Sequence, residues 1–281
     1  MIDLHTHSSA SDGNLSPSNL ISYAAEKNVS VLALCDHDTI QGIQEAKEEA
    51  QKKDITFIPG IELNIQWPTG EFHLLGLGLQ NFSEELLAVT KKLQEERNLR
   101  NSSIAEKMKN DGLAIDFAEI KAKNPSGCIG RPHFAEYLVE KKLVKTRQQA
   151  FDKYLGKGRP YYVERTGANL KEAIFAIKTS GGIPVLAHPL SLYVSWGKIT
   201  GVLTELYAQG VQGIEAWHPG ARVGECKRLE SLGKELGFFV TAGSDFHGEK
   251  IRSDRKIGHT AGLTKIEDRF FYEELQPFLN K

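Results

Sequence analysis

The sequence predicts an α/β protein, and three observations predict it. Seven short apolar runs recur along the 281 residues. Amphipathic stretches with helical spacing separate most of them. Ionisable side chains, histidine above all, stand at or near the ends of those runs, where strand packing alone gives no reason for them.

Taken in order, the first run is MIDLHTH, followed by SPSNLISYAAEKN, whose Ser-Pro start suits a helix amino end. VSVLALCDHD and ITFIPGIELNI lie on either side of the helical TIQGIQEAKEEAQKKD, and EFHLLGLGL is the fourth run. The alternation then breaks. Between about Phe82 and Tyr162 the chain reads as helix after helix: SEELLAVTKKLQEERNLRNSSIAEKMKNDG, DFAEIKAKN, RPHFAEYLVEKKL and TRQQAFDKYLG. Alternation resumes with NLKEAIFAIKTSG, GGIPVLAHP, GVQGIEAWHP, ECKRLESLGKELG and GFFVTAGSDFH; both helical segments close on glycine. The polar stretch from Ser253 to Lys281 reads as a covering loop and a final helix. Several runs are continuously apolar, as parallel strands buried on both faces are, and the alternation implies right-handed βαβ units. Seven strands suit a barrel related to the eightfold one; a doubly wound open sheet satisfies the same periodicity. The expected organisation is a barrel domain over residues 1–81 and 163–281 with a helical subdomain inserted over 82–162.

Composition narrows the class. Lys plus Arg (35) nearly balances Asp plus Glu (36), so no global field draws the protein to nucleic acid or anionic membrane, and any anion must be attracted locally. Three separated cysteines, Cys35, Cys128 and Cys226, argue against a disulfide framework. With neither a signal-peptide pattern nor a long apolar stretch, the expected location is the cytoplasm, without membrane association.

The histidines carry the functional reading. In a strand, side chains two apart share a face, so His5 and His7 aim two imidazoles at one point. Asp36, His37 and Asp38 end the second run, Glu62 ends the third and His73 lies in the fourth. His188, His218 and the pair Asp245 and His247 end the fifth, sixth and seventh. In a parallel barrel the carboxyl ends of the strands form one face that carries the chemistry. His5, His7, Asp12, His37, Glu62, His73, His188, Asp245 and His247 would meet there and could serve two or three divalent ions, since such ions take imidazole and carboxylate together. Three carboxylates against that many divalent cations leave excess positive charge, which favours an anionic substrate.

In chain order, DLHTHSSASDG, CDHDT, PGIELN, FHLLGLGL, LAHP and GSDFH resemble the PHP (polymerase and histidinol phosphatase) family of metal-dependent phosphoesterases. These motifs span Asp3 to His247. The resemblance implies a distorted seven-stranded (β/α) barrel, TIM-barrel-like, holding up to three divalent metals. The inserted helices look most like the branch that removes the 3′-phosphate of nucleoside 3′,5′-bisphosphates or trims short RNA from its 5′ end. Carried over by motif, it places His5, His7, Glu62 and Asp245 around one ion. Glu62 would bridge to a second ion held by His73 and His188, and Asp12, His37 and His247 would hold the third. Asp12, His37 and His247 are thereby also expected to face the substrate. The implied chemistry is attack by a metal-activated hydroxide, with Glu62 setting the ion spacing. Manganese is the expected metal, with iron and zinc as alternatives.

Outside the metal set, Arg131 precedes Pro132 at a helix start, where free N–H groups and a guanidinium suit a phosphate. His133 is a further substrate contact, or a packed histidine. Arg97 and Arg100, three apart on a helix, either face a second phosphate or form a solvated basic face. His218 either protonates the leaving group, contacts the phosphate or packs. The expected substrate is a small phosphorylated molecule, a nucleoside bisphosphate or short oligonucleotide, with no stable protein partner. Competing readings are a histidinol-phosphatase-like monoesterase and a non-catalytic metal-binding module docked to a polymerase.

Overall fold

The computed structural model describes residues 1–123, 128–164, 166–249 and 251–279. Asn124, at the end of one expected helix, and Asn280 and Lys281, at the end of the last, lie outside them. Among the described residues, seven strands form one sheet in sequence order: β1 Ile2–Thr6, β2 Val31–Leu34, β3 Thr56–Ile65, β4 Phe72–Leu77, β5 Ile183–Leu186, β6 Gly213–Trp217 and β7 Phe239–Ala242. Each of the seven apolar runs supplies one strand.

The pairs β1–β2, β2–β3, β5–β6 and β6–β7 are parallel. β4 runs antiparallel to both its neighbours, which corrects the expectation of βαβ units throughout. Residues 66–71 alone connect β3 to β4, and a parallel crossover needs about a dozen or more, so the two strands close as a hairpin. Beyond β7 the sheet nearly closes on itself. Thr6 forms a parallel bridge with Phe246, the His7 N–H donates to the Phe246 carbonyl at 2.9 Å, and the Asp245 N–H donates to the His5 carbonyl at 2.9 Å. The result is a mixed, nearly closed α/β barrel rather than an open sheet.

Helices α1 Pro17–Glu26 and α2 Ile43–Lys53 bury one stripe each against β2, through Leu20, Ile21, Ala24, Ala46 and Ala50 over Leu32 and Leu34. Burying each Leu or Ile contributes roughly 1.5–3 kcal/mol. The α1 start is fixed by Ser16, whose Oγ accepts the Asn19 N–H at 3.2 Å, with Pro17 pre-set for the first helical position.

Among the described residues the remaining α-helices are α3 Glu84–Asn110, α4 Phe117–Lys123, α5 Arg131–Glu140, α6 Arg147–Ala150, α7 Leu170–Thr179, α8 Trp196–Ala208, α9 Val223–Glu235 and α10 Gln276–Leu279. No expected segment corresponds to α8, where Gly197 and Gly201 dilute the helical signal. The chain divides into two compact units, Met1–Thr90 with Gly167–Lys281, and Lys91–Thr166. The first division falls inside α3 and the second at 166/167, whereas the sequence reading set them at 82 and 162. The unit Lys91–Thr166 has its own core, including Ile104, Met108, Ile120, Phe134, Leu138 and Leu155. No helix among the described residues is long and apolar enough to cross a membrane. The three cysteines are buried and form no disulfide.

Candidate metal centre

Glu62 is the hub of the barrel unit. It is 0% exposed, and five histidine nitrogens stand within 3.3 Å of its two oxygens. His5 Nε2 and His7 Nε2 each lie 3.3 Å from Oε2, and His37 Nδ1 lies 2.9 Å from the same oxygen. His73 Nδ1 at 2.9 Å and His188 Nε2 at 3.1 Å approach Oε1. The strand directions explain this convergence. His5 and His7 leave the carboxyl end of β1, His37 that of β2 and His188 that of β5. His73 instead sits at the amino end of β4, and the antiparallel direction of that strand brings this end to the same face. Glu62 is likewise interior to β3, because β3 continues past it into the hairpin. His73 thereby departs from the expectation that these residues stand at or near the carboxyl ends of their strands, and Glu62 meets it only loosely.

Asp245 is a second anchor. Its Oδ1 lies 3.3 Å from His7 Nε2 and 3.4 Å from His247 Nδ1. Asp12, in the loop after β1, approaches His247 Nε2 at 3.2 Å and His37 Nε2 at 3.9 Å. Three sets of potential ligand atoms lie within 4.8 Å of one another: His7, Asp12, His37 and His247; His5, His7 and Asp245; and His37, Glu62 and His73. His7 and His37 thus each belong to two sets, whereas the resemblance gave each of them to one ion.

The electrostatics favour cations. Seven imidazoles crowd this face, with ring centroids 4.1 Å apart for His7 and His247, 4.6 Å for His7 and His37, and 5.0 Å for His188 and His218. They cannot all be charged at once. Burial pushes His37 down to about 4 and lowers His218 as well. Burial also opposes protonation of His7, but Asp245 and Glu62 outweigh it and hold that ring at about 10. The carboxylates of Glu62, Asp245 and Asp12 are held well below the usual range, because surrounding histidines overcome the cost of burial. Glu62 Oε2 and His73 Nδ1 are buried without a hydrogen bond, although His73 Nδ1 is only 2.9 Å from Glu62 Oε1. Both atoms face the same crowded space between the carboxylate and the imidazoles. That is the disposition of metal ligands, and the nitrogen and oxygen donor set fits divalent ions.

His218 has both ring nitrogens engaged: Nδ1 accepts the Gly220 N–H at 3.0 Å, and Nε2 lies 3.3 Å from Asp245 Oδ2. An accepting Nδ1 carries no proton, which leaves Nε2 to donate to Asp245. Three polar residues escaped the sequence reading. Glu215 accepts from His5 Nδ1 at 3.0 Å. Arg252 donates to Asp245 Oδ2 at 3.0 Å. Asp3 accepts from the Gly258 N–H at 2.7 Å and the Ser244 N–H at 3.0 Å. The signal for Glu215 was present, a carboxylate in the middle of the apolar strand sequence GIEAW.

Within the unit Lys91–Thr166, Arg97 and Arg100 of α3 are 4% and 7% exposed, so they are not a solvated basic face. A Cβ on Gly130 would stand 3.6 Å from Arg97 Nη1, which places this guanidinium at the amino end of α5. His133 Nδ1 accepts the Gly130 N–H at 2.9 Å and so caps that helix. The Arg131 guanidinium lies over the Tyr162 ring at 5.3 Å.

The PHP domain family model matches residues 3–164 of the chain. A 5′-3′ exoribonuclease of Haemophilus influenzae is 35% identical over 245 residues, 87% of this chain and 89% of that protein. A 3′,5′-nucleoside bisphosphate phosphatase of Chromobacterium violaceum is 34% identical over 267 residues, 94% of this chain and 93% of that one. Among solved structures, one from Bifidobacterium adolescentis assigned as a metal-dependent phosphoesterase has a TM-score of 0.84 at 26% identity, covering 98% of this chain and 95% of its own. With the family model over more than half of its length and relatives above 30% identity along most of it, the chain belongs to the PHP domain family and is a phosphoesterase of that family.

Proposed function

We propose that the chain hydrolyses a phosphate ester of a small nucleotide, the 3′-phosphate of a nucleoside 3′,5′-bisphosphate or the terminal nucleotide of a short RNA, with two to three divalent ions. The observation that carries this reading is Glu62, one buried carboxylate facing five imidazole nitrogens. In this reading Glu62 bridges a set of His5, His7 and Asp245 and a set of His73 and His188. Asp12, His37 and His247 form a third set, which faces the phosphate. Manganese is the ion we favour, with iron and zinc compatible with the same donors.

Divalent ions held there supply a Lewis acid that activates water and neutralises charge on the phosphoryl group. The chain's own part is to hold and orient. Asp245 divides its labour: Oδ1 faces the imidazoles, while Oδ2 takes hydrogen bonds from His218 and Arg252. In this reading His218 fixes the Asp245 carboxylate, and its remaining lone pair is occupied by the Gly220 N–H. His188 Nδ1 is similarly pinned by Ser191 Oγ at 2.9 Å, which leaves Nε2 for the bridging carboxylate. Phosphoryl transfer asks mainly for positioning and charge neutralisation, and these pinned groups supply the first. In the other unit, Arg97, Arg100 and Arg131 offer guanidinium donors, with His133 beside them on α5, and such donors complement a phosphate that is not transferred.

The relatives named a bisphosphate phosphatase and an exoribonuclease support the two substrate options equally. The deciding experiment is phosphate and nucleotide release measured across adenosine 3′,5′-bisphosphate, 5′-AMP, histidinol phosphate and a 5′-phosphorylated RNA trimer, with Mn²⁺ supplied. Release from the bisphosphate or the trimer at rates well above the two monoesters is the expected result. Preference for histidinol phosphate, or no release from any, would overturn the proposal.

A further inference from the structure

Glu215 sits in β6 with its residue 1% exposed, and each of its oxygens has a partner of its own. Oε1 accepts from His5 Nδ1 at 3.0 Å, and Oε2 accepts the backbone N–H of His188 at 2.9 Å. His188 occupies an uncommon backbone conformation for a residue with a Cβ, φ 27° and ψ 68°, so something must hold it there. A third residue is shaped to this pair. A Cβ on Gly243 would stand 2.3 Å from the His5 Cβ and 2.5 Å from Glu215 Oε1, so only glycine admits both groups at this place.

We propose that Glu215 is a positioning residue that couples two metal-ligand sets it does not belong to. It holds His5 as the Nδ1–H tautomer, with the Nε2 lone pair aimed at Glu62, and it fixes the strained turn that aims His188 at the other oxygen of Glu62. The inference rests on the reading of His5 and His188 as ligands. Removing the carboxylate therefore weakens both sets together, although neither loses a ligand atom. Glu215→Gln keeps the shape and exposes the logic. An amide has one accepting oxygen for two donors. If its NH₂ faces His5, Nδ1 must accept and the proton moves to Nε2, where it blocks the lone pair. If the NH₂ faces His188, two N–H groups oppose each other and the turn is released.

The test uses Zn²⁺ as the probe and no substrate. In zinc-loaded wild-type protein, imidazole ¹⁵N spectra should place the His5 proton on Nδ1; a proton on Nε2 overturns the inference whatever the variants do. In Zn²⁺ titrations against a competing chelator, Glu215→Gln should bind about 10- to 100-fold more weakly, the effect usual for a carboxylate behind a histidine ligand. The loss should extend to more than one equivalent of zinc, and Gly243→Ala should act in the same direction. A purely structural role would instead lower the melting temperature of the metal-free protein and leave zinc affinity per folded molecule unchanged. Wild-type zinc affinity in folded Glu215→Gln overturns the inference. Because nothing here measures turnover, a wild-type protein that fails to hydrolyse nucleotides would sink the proposed function and leave this result standing.

Discussion

In the unit made of Met1–Thr90 and Gly167–Lys281, the buried ionisable residues are dominated by imidazoles and carboxylates: Asp3, His5, His7, Asp36, His37, Asp38, Glu62, His73, Glu215, His218, Asp245 and His247, with Arg255 the one arginine among them. In the unit Lys91–Thr166 they are Arg97, Arg100 and His133. One unit buries mainly carboxylates and imidazoles, and the other buries two guanidinium groups. Carboxylates and neutral imidazoles suit cations, whereas guanidinium groups suit anions.

The largest expected effect breaks the barrel's side of this contrast. Glu62→Gln removes the charge that faces five imidazoles, and uncompensated buried charge of this kind costs about 3–5 kcal/mol. Turnover should fall on the order of a thousandfold, and metal content by elemental analysis should drop with it. Next comes the helical unit as a folded body. Phe134 is 0% exposed and stacks on Phe117 at a centroid distance of 5.6 Å. Phe134→Ala should cost that unit about 3–5 kcal/mol of stability, read by denaturant titration, while the protein keeps its metal. Loss of metal in this variant would show that the two units do not separate as described.

Arg131→Ala tests the donor side directly. If this guanidinium clamps a phosphate that is not transferred, its loss appears in KM and costs about tenfold to a hundredfold in kcat/KM on adenosine 3′,5′-bisphosphate. On p-nitrophenyl phosphate, which has no second phosphate, the change should be small. Equal losses on both substrates would move Arg131 to the reacting phosphate. The smallest effect is a control on the barrel scaffold. Asn169 caps α7, its Oδ1 accepting the Lys171 N–H at 2.9 Å, and Asn169→Ala should lower stability by about 1 kcal/mol without altering metal content or KM.

Much of the barrel was legible because its signal is local. Each strand announced itself as an apolar run, and ligand-type side chains at their ends pointed to one face. The direction of β4 was not read, since apolar periodicity is the same for parallel and antiparallel strands; only the short span 66–71 encodes the hairpin. That direction also decides why His73, at the start of its strand, joins the others. Glu215 stayed hidden because GIEAW scores as a core strand, and the purpose of its carboxylate depends on His5 and His188, which are remote in sequence. The burial of Arg97 and Arg100 was equally unreadable: a three-residue spacing says that two side chains share a helix face, and nothing about what packs over it.

The proposal that Glu62 bridges two ions is open to a direct titration. Protein stripped of metal by a chelator is titrated with Mn²⁺ while phosphate release from adenosine 3′,5′-bisphosphate is followed, with bound manganese counted at each point. The expected result is no activity in the stripped protein and a rise that requires the second equivalent. Full activity with the chelator present, or after a single bound equivalent, would contradict it.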